Sequence, residues 1–150
     1  MSADSPWTDT VPRLGCLRGI STLTGFGLAV EIGDWTRFSG NSIGSYLGLV
    51  PSENSSGQSR SLGPITKTGN GHARQLLVEA AWHHQHRYVP GKKIRDRWDL
   101  ASPAARARGD LGNRRLNKRW NQFKARKKPN NAVIAREVAG WCRSLAVLEE

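Results

Sequence analysis

Apolar residues recur along most of this chain at the three- and four-residue spacing of amphipathic helices. The clearest case closes the sequence, where Val133, Ile134, Val138, Trp141, Leu145 and Leu148 share one face of a helix expected over 131–148. A second helix is expected after Gly69-Asn70, with Leu76, Leu77, Val78, Ala80, Ala81 and Trp82 as its buried face and His72 and Arg74 on a basic edge. The last helix is expected to pack back on this one. Between them the pattern predicts three shorter helical pieces, Lys92–Leu100, Pro103–Arg108 and Gly112–Lys127, anchored by Trp98, Leu116, Trp120 and Phe123.

Nearer the N-terminus, Leu17 to Thr24 and the apolar run Gly25 to Ile32 predict two short helices about a Gly-containing turn. That arrangement fits a helix-hairpin-helix unit, whose turn N–H groups and following helix N-terminus face a DNA phosphate. The turn here reads Gly19-Ile20-Ser21, where such hairpins usually show Gly-Ile-Gly. A plain helical hairpin serving the core fits the residues equally well. Ser39 is a suitable N-cap for a further helix of about nine residues carrying Ile43, Tyr46 and Leu47, which Pro51 ends. Residues 1–16 read as a disordered leader, 17–88 as the central unit and 89–150 as a basic helical extension packed on it. The fold class expected is mainly α, with a helix-hairpin-helix-like N-terminal part, a Ser-containing loop and a small helical bundle with a basic surface.

Charge sharpens this picture. The net charge of +11 is carried by one block: residues 1–59 balance to −2, residues 60–128 to +14 and residues 129–150 to −1. A cationic block between near-neutral flanks is the electrostatic footprint of a nucleic-acid binder. Arg114, Arg115, Lys118, Arg119, Lys124, Arg126, Lys127 and Lys128 supply the densest part of it, beside aromatic anchors. Long basic stems against aromatics also make ordinary amphipathic surface, but charge of this density favours contact with a phosphate backbone. No apolar run approaches the roughly 18 residues of a membrane span, and the first residues lack the basic and apolar regions of a signal peptide. Cys16 and Cys142 are too few for a disulfide framework or a zinc site. A cytoplasmic, nucleoid-associated location is expected. His72, His83, His84 and His86 lack nearby Cys or carboxylate partners to complete a metal shell, and read as solvated or phosphate-contacting.

The candidate chemistry lies after Pro51, where Ser52 to Ser61 has the composition of an exposed loop. It offers two adjacent hydroxyls, Ser55 and Ser56, just ahead of the basic block. A reactive hydroxyl beside phosphate-binding groups is what nucleophilic attack on a phosphodiester needs. The plainer reading is a surface turn whose serines bond only local backbone.

Several motifs in fixed order over roughly residues 17–85 then point further: Glu31-Ile32-Gly33-Asp34, Gly48-Leu49-Val50-Pro51, Ser55-Ser56-Gly57, Ile65-Thr66-Lys67, Gly69-Asn70, Arg74, and Leu76-Leu77-Val78-Glu79-Ala80-Ala81-Trp82. Together they resemble the C-terminal transposase domain of the IS-110/IS-116/IS-902 insertion-sequence family, and the basic tail to Ala146 is similar more loosely. The resemblance implies a DNA recombinase that moves an insertion sequence, guided by an element-encoded structured (bridge) RNA and working as a homo-oligomer. It implies a serine nucleophile at Ser56, the residue before the family's glycine, with Ser55 as its neighbour. Arg60, Lys67 and Arg74 become candidates to offset charge in the transition state, and Asn70 joins them as a nucleic-acid-facing residue. The family pairs this domain with an N-terminal RuvC-like domain whose acidic residues hold a divalent metal such as Mg. Residues 1–16 cannot hold such a sheet, and no cofactor is expected on this chain itself. On that reading the chain alone does not complete transposition, and the alternative is a non-catalytic nucleic-acid-binding remnant.

Overall fold

A computed structural model describes residues 8–40, 42–56, 59–126 and 131–148, with 51–56 and 59–65 given by their backbone path. Among the described residues, seven α-helices and one two-stranded ribbon follow in the order α1 (Thr10–Leu14), α2 (Thr22–Ile32), α3 (Ser42–Tyr46), β1 (Pro51–Ser56), β2 (Ser59–Ile65), α4 (Gly71–Trp82), α5 (Lys92–Trp98), α6 (Pro103–Ala125) and α7 (Asn131–Ala146). The fold is mainly α, as the periodicity predicts.

Helix α7 is the centre, touched by α1, α3, α4 and α6, with α4 its principal neighbour. Its fully buried residues are Ile134, Ala135, Val138, Ala139, Cys142 and Leu145, while Val133, Trp141 and Leu148 stay half-buried. The seam therefore runs along the small residues Ala135 and Ala139, one turn apart, which let the neighbouring helices approach closely. Each large side chain in it, such as Ile134 or Leu145, gains about 1.5–3 kcal/mol from leaving water.

Two expectations about element boundaries change. Residues Pro103–Ala125 form one continuous helix of 23 residues, not two pieces separated around Gly109. The glycines are close-approach positions on its packed face. A Cβ on Gly109 would lie 2.5 Å from the Cys16 Cβ, and one on Gly112 would lie 2.9 Å from the Trp141 ring. Ser102 starts this helix by accepting a hydrogen bond from the Ala105 N–H, with Pro103 in its first turn.

The second change is at the N-terminus. Residues 10–16 of the expected leader are ordered into α1 and the turn after it, because Val11, Leu14 and Cys16 are buried in the core. Residues 1–7 lie outside the described residues. Helices α1 and α2 pair as a hairpin, but not over the expected residues: the helix expected from Leu17 to Thr24 is instead the turn between Leu14 and Thr22. That turn packs inward, where a Cβ on Gly19, at φ +92°, would lie 2.7 Å from the Ala80 carbonyl oxygen of α4. Ser21, the departure from the Gly-Ile-Gly pattern, caps α2 by accepting from the Thr24 N–H at 3.2 Å. Leu17 and Ile20 are fully buried, so the hairpin serves the core.

Candidate functional site

The segment expected as a loop is an antiparallel ribbon. Its register pairs Pro51 with Ile65, Glu53 with Leu62, Asn54 with Ser61, Ser55 with Arg60 and Ser56 with Ser59, with an irregularity between Pro51 and Glu53. Ser, Asn and Gly are weak strand formers, so composition pointed to a loop. Pairing wins because each strand satisfies the other's backbone N–H and C=O groups. Ser55 and Ser56 thus stand at the outer end of β1, with Arg60 one ladder position from Ser56's partner. Gly57 and Gln58, which join the strands, lie outside the described residues.

A lone two-stranded ribbon is marginal in water, so its foundation matters. Beyond the base its strands neighbour chiefly each other. At the base, the Thr66 N–H donates to the Val50 carbonyl at 3.0 Å and the Lys67 N–H to the Gly48 carbonyl at 3.1 Å. Gly48, Lys67 and Gly69 all adopt positive φ, at 68°, 57° and 79°. The two glycines are required: a Cβ on Gly48 would lie 2.4 Å from the Thr68 backbone, and one on Gly69 1.8 Å from the Tyr46 carbonyl oxygen. Arg74 reaches back from α4 and donates through Nη1 to the carbonyls of Leu47 (3.2 Å) and Thr68 (3.1 Å). Arg74 is therefore a clamp across the ribbon's base. Lys67 is exposed at the same base.

Asn70 also has structural work. Its Oδ1 caps α4 by accepting from the Ala73 N–H at 3.0 Å, and its Nδ2 donates to Glu31 Oε2 at 2.6 Å. The other oxygen of Glu31 lies 2.9 Å from His72 Nδ1, which carries the proton in this pair. These bonds, Asn70's first and His72's second, hold the Glu31 carboxyl below its ordinary range. The end of α2 is so tied to the start of α4, a link that nothing in the spacing of Glu31 announced. Asn70→Ala is expected to cost about 1–2 kcal/mol in urea unfolding, and Asn70→Ser, which keeps a cap but loses the amide, to recover about half of that.

The basic residues of α6 are partly answered by neighbours. Arg114 Nε pairs with Asp110 Oδ2 at 2.9 Å and Arg119 Nε with Glu137 Oε1 at 3.0 Å. Arg119 also lies over the Phe123 ring and Arg115 over Trp141. Arg114, Arg115 and Lys118 remain exposed on the outer face, and Lys127 and Lys128 lie outside the described residues. Exposed pairs of this kind are worth little, so the face keeps a cationic field.

The histidines separate completely. His72 is exposed beside Glu31, whereas His84 is fully buried, with neither ring nitrogen hydrogen-bonded among the described residues. Burial, then the charge of Arg18, then that of His83 push the His84 pKa down to about 3, so it stays neutral. No group of three or more His, Cys, Asp or Glu among the described residues has the arrangement to hold a metal ion, so these donors do not fit a divalent cation. Cys16 and Cys142 are free and buried, and burial raises their pKa values to about 11 and about 12. Asn113, fully buried, was not singled out by spacing, yet it holds the Arg18 N–H at 2.8 Å and donates to the Cys16 carbonyl at 3.1 Å. No helix among the described residues is long and apolar enough to cross a membrane.

Comparison with known proteins bears directly on the ribbon and its foundation. The chain is 38% identical over 142 residues to y4qE of Sinorhizobium fredii, named as a transposase, covering 91% of this chain and 36% of that protein. It is 38% identical over 74 residues to the transposase for insertion sequence element IS1328 of Yersinia enterocolitica, covering 49% of this chain and 22% of the relative. A Pseudomonas aeruginosa protein named as a family 20 transposase is 35% identical over 72 residues, or 47% of this chain and 21% of that protein. The match thus spans little more than a third of the length of the first relative and about a fifth of the other two. No solved structure matches it. Residues 12–98, from α1 through the serine-bearing ribbon to the end of α5, match the IS116/IS110/IS902 transposase family, and the chain belongs to that family.

Proposed function

We propose that this chain is the strand-transfer part of a DNA transposase, with Ser56 as the nucleophile. The observation that carries the reading is the family match across residues 12–98, which includes the ribbon bearing Ser55 and Ser56 and the Arg74 clamp beneath it. In the proposed step the Ser56 hydroxyl loses its proton as Oγ attacks a backbone phosphorus. One phosphorus–oxygen bond to the sugar breaks, and the departing sugar oxygen takes up a proton. The product is a phosphoserine ester that keeps the energy of the original bond, so rejoining to another strand's hydroxyl needs no external source. Arg60 and Lys67 lie on the same stretch of chain and are assigned to the charge that develops on the phosphoryl oxygens. Arg74 is assigned to hold the ribbon in place beneath them. The exposed cations of α6, Arg114, Arg115 and Lys118, are assigned to sequence-independent contact with the DNA backbone.

The divalent metal, the guide RNA and the homo-oligomer of the family belong to this proposal at the level of the whole transposase. A metal is assigned outside the described residues, whose donors do not fit one, and no step on this chain is routed through it. A nucleoid-associated location follows from DNA as the substrate.

The test is a search for covalent protein–DNA adducts on denaturing gels, with the purified chain and nicked donor and target duplexes that trap the ester. The adduct is expected with the natural sequence and with Ser55→Ala, and is expected to vanish with Ser56→Ala. An adduct that survives Ser56→Ala removes the assigned nucleophile. DNA binding without any adduct supports instead a binding module that lacks strand transfer.

A further inference from the structure

A cleft of about 550 Å³ opens on the molecule between the α1–α2 turn, the C-terminal half of α4 and the start of α5. Its volume lies within the range of about 300–1,000 Å³ of sites that hold small ligands. The ribbon base lies at the other end of α4: from Asn70 to Ala80 is about 15 Å along the helix axis. The proposed strand transfer does not use this cleft, although Leu76, Glu79 and Ala80 of the α4 motif line it.

Three features of its lining point to one class of ligand. Leu76, Ala80 and Val89 make an apolar wall, and Val89 is 64% exposed. The Arg18 guanidinium lies 5.3 Å from the Tyr88 ring centroid, so a flat cation and a flat ring stand together at the cleft. Arg18 Nη1 donates to the Arg87 carbonyl at 3.1 Å, while its Nε and Nη2 are buried without an acceptor among the described residues. At the rim, Lys92 and Lys93 are exposed, and no hydrogen bond or ion pair engages either side chain among the described residues. Arg97, also in the lining, is already committed to the Gly15 carbonyl at 2.9 Å. Glu79 is the one carboxylate in the lining, and among the described residues its side chain has only a long 3.4 Å contact from Gln75 Nε2.

We infer that the cleft takes one unpaired nucleotide of a nucleic-acid strand. The phosphate sits against Lys92 and Lys93, and the base enters between the apolar wall and the Arg18–Tyr88 pair. Within a duplex a base presents only its edges, and its faces are already stacked; an unpaired base offers the face that such a wall accepts. Glu79, an acceptor among cations, selects bases that carry an exocyclic amino group, as carboxylates do with cytosine. The inference deepens the nucleic-acid reading proposed above and rests on it for the ligand class, but not on Ser56.

Binding of the whole chain to oligomers of about twelve nucleotides, at about 0.1 M salt, tests it. The probes are oligodeoxycytidine, oligodeoxythymidine, oligocytidine and a blunt duplex of equal length. Expected is tighter binding of oligodeoxycytidine or oligocytidine than of the duplex, with oligodeoxythymidine at least about threefold weaker than oligodeoxycytidine. The better of the two cytidine oligomers shows whether the strand is DNA or RNA. Lys92→Gln with Lys93→Gln, and separately Val89→Glu, are expected to weaken the single strand about tenfold and the duplex by less than about threefold. These positions are exposed, and retained duplex affinity shows that the variants fold. Glu79→Gln, whose amide both donates and accepts, is expected to narrow the cytidine preference.

Equal weakening of single strand and duplex would reduce the cleft to general basic surface and overturn the inference, as would full single-strand affinity in Val89→Glu. The adduct assay on the same preparation separates the two readings. An adduct at Ser56 with no single-strand preference removes the cleft alone. A preference lost in Val89→Glu with no adduct supports the cleft and removes strand transfer alone.

Discussion

Gly69→Ala is expected to lower the stability of this chain by about 3–4 kcal/mol, the upper end of what a single methyl group can do. Two costs combine. Gly69 sits at φ +79°, where an L side chain costs roughly 1–2 kcal/mol. Its added Cβ would also meet the Tyr46 carbonyl oxygen at 1.8 Å, a contact with backbone that no rotamer change relieves. The Tyr46–Leu47 segment must then retreat, and with it the Leu47 carbonyl that Arg74 holds. Two other glycines isolate these terms. Gly33, at φ +72° and ψ −98° with nothing near its Cβ position, carries a backbone cost with no steric clash, so Gly33→Ala is expected to cost about 1–3 kcal/mol. Gly40, with open space and no positive φ, is expected to tolerate alanine within about 0.5 kcal/mol. Urea unfolding of the three variants checks the order. If Gly69→Ala costs no more than Gly33→Ala, the base of the ribbon yields freely and does not fix the position of Ser56.

That base shows what the sequence made legible and what it hid. Helices with long apolar faces were readable: α4 and α7 lie where periodicity predicted, and they pack together. Leu116 and Trp120 are anchors, as their spacing suggested. The ribbon was hidden because its strands carry no alternation of apolar and polar residues. Their backbone pairing is what defines them. Gly109 and Gly112 read as interruptions because glycine weakens a helix locally. In three dimensions their missing side chains are what lets α6 meet Cys16 and Trp141, and that gain exceeds the propensity penalty.

Polar residues were the hardest to place. Asn70 and Arg74 carry the family motif, and spacing alone cannot distinguish a residue that touches a ligand from one that holds the chain which does. Their hydrogen bonds to Glu31, Leu47 and Thr68 give both a part in holding the chain. The paired arginines Arg114 and Arg119 teach the same point from the other side. Formal charge counts residues, whereas the field that a phosphate meets depends on which cations already have a carboxylate beside them. Arg115 and Lys118 are accordingly weighted above Arg114 and Arg119, each of which has a carboxylate beside it.

Mild acid is expected to weaken the fold through His84. In the unfolded chain this imidazole titrates near 6.5, and in the folded chain burial, Arg18 and His83 hold it near 3. Between those values the unfolded state binds a proton that the native state refuses, so stability rises with pH across the window and falls as pH drops below about 6.5. The slope for one proton is about 1.4 kcal/mol per pH unit, or about 2 kcal/mol lost between pH 7 and pH 5. Glu31 and Asp34, whose carboxyls are held below their ordinary values by hydrogen bonds, add their own loss only in more acidic solution. The pH 5–7 interval therefore reports chiefly on the buried ring. His84→Leu removes the titration at the cost of no well-formed hydrogen bond, since the ring's approach to the Arg18 backbone is its weakest influence and neither ring nitrogen meets hydrogen-bond geometry among the described residues. It is expected to match the natural chain within about 1 kcal/mol at pH 7 and to exceed it at pH 5. Urea midpoints at the two pH values measure the difference. Parallel pH dependence in the two proteins would mean that His84 takes up its proton in the native state, by turning outward beside Arg18 or drawing in water.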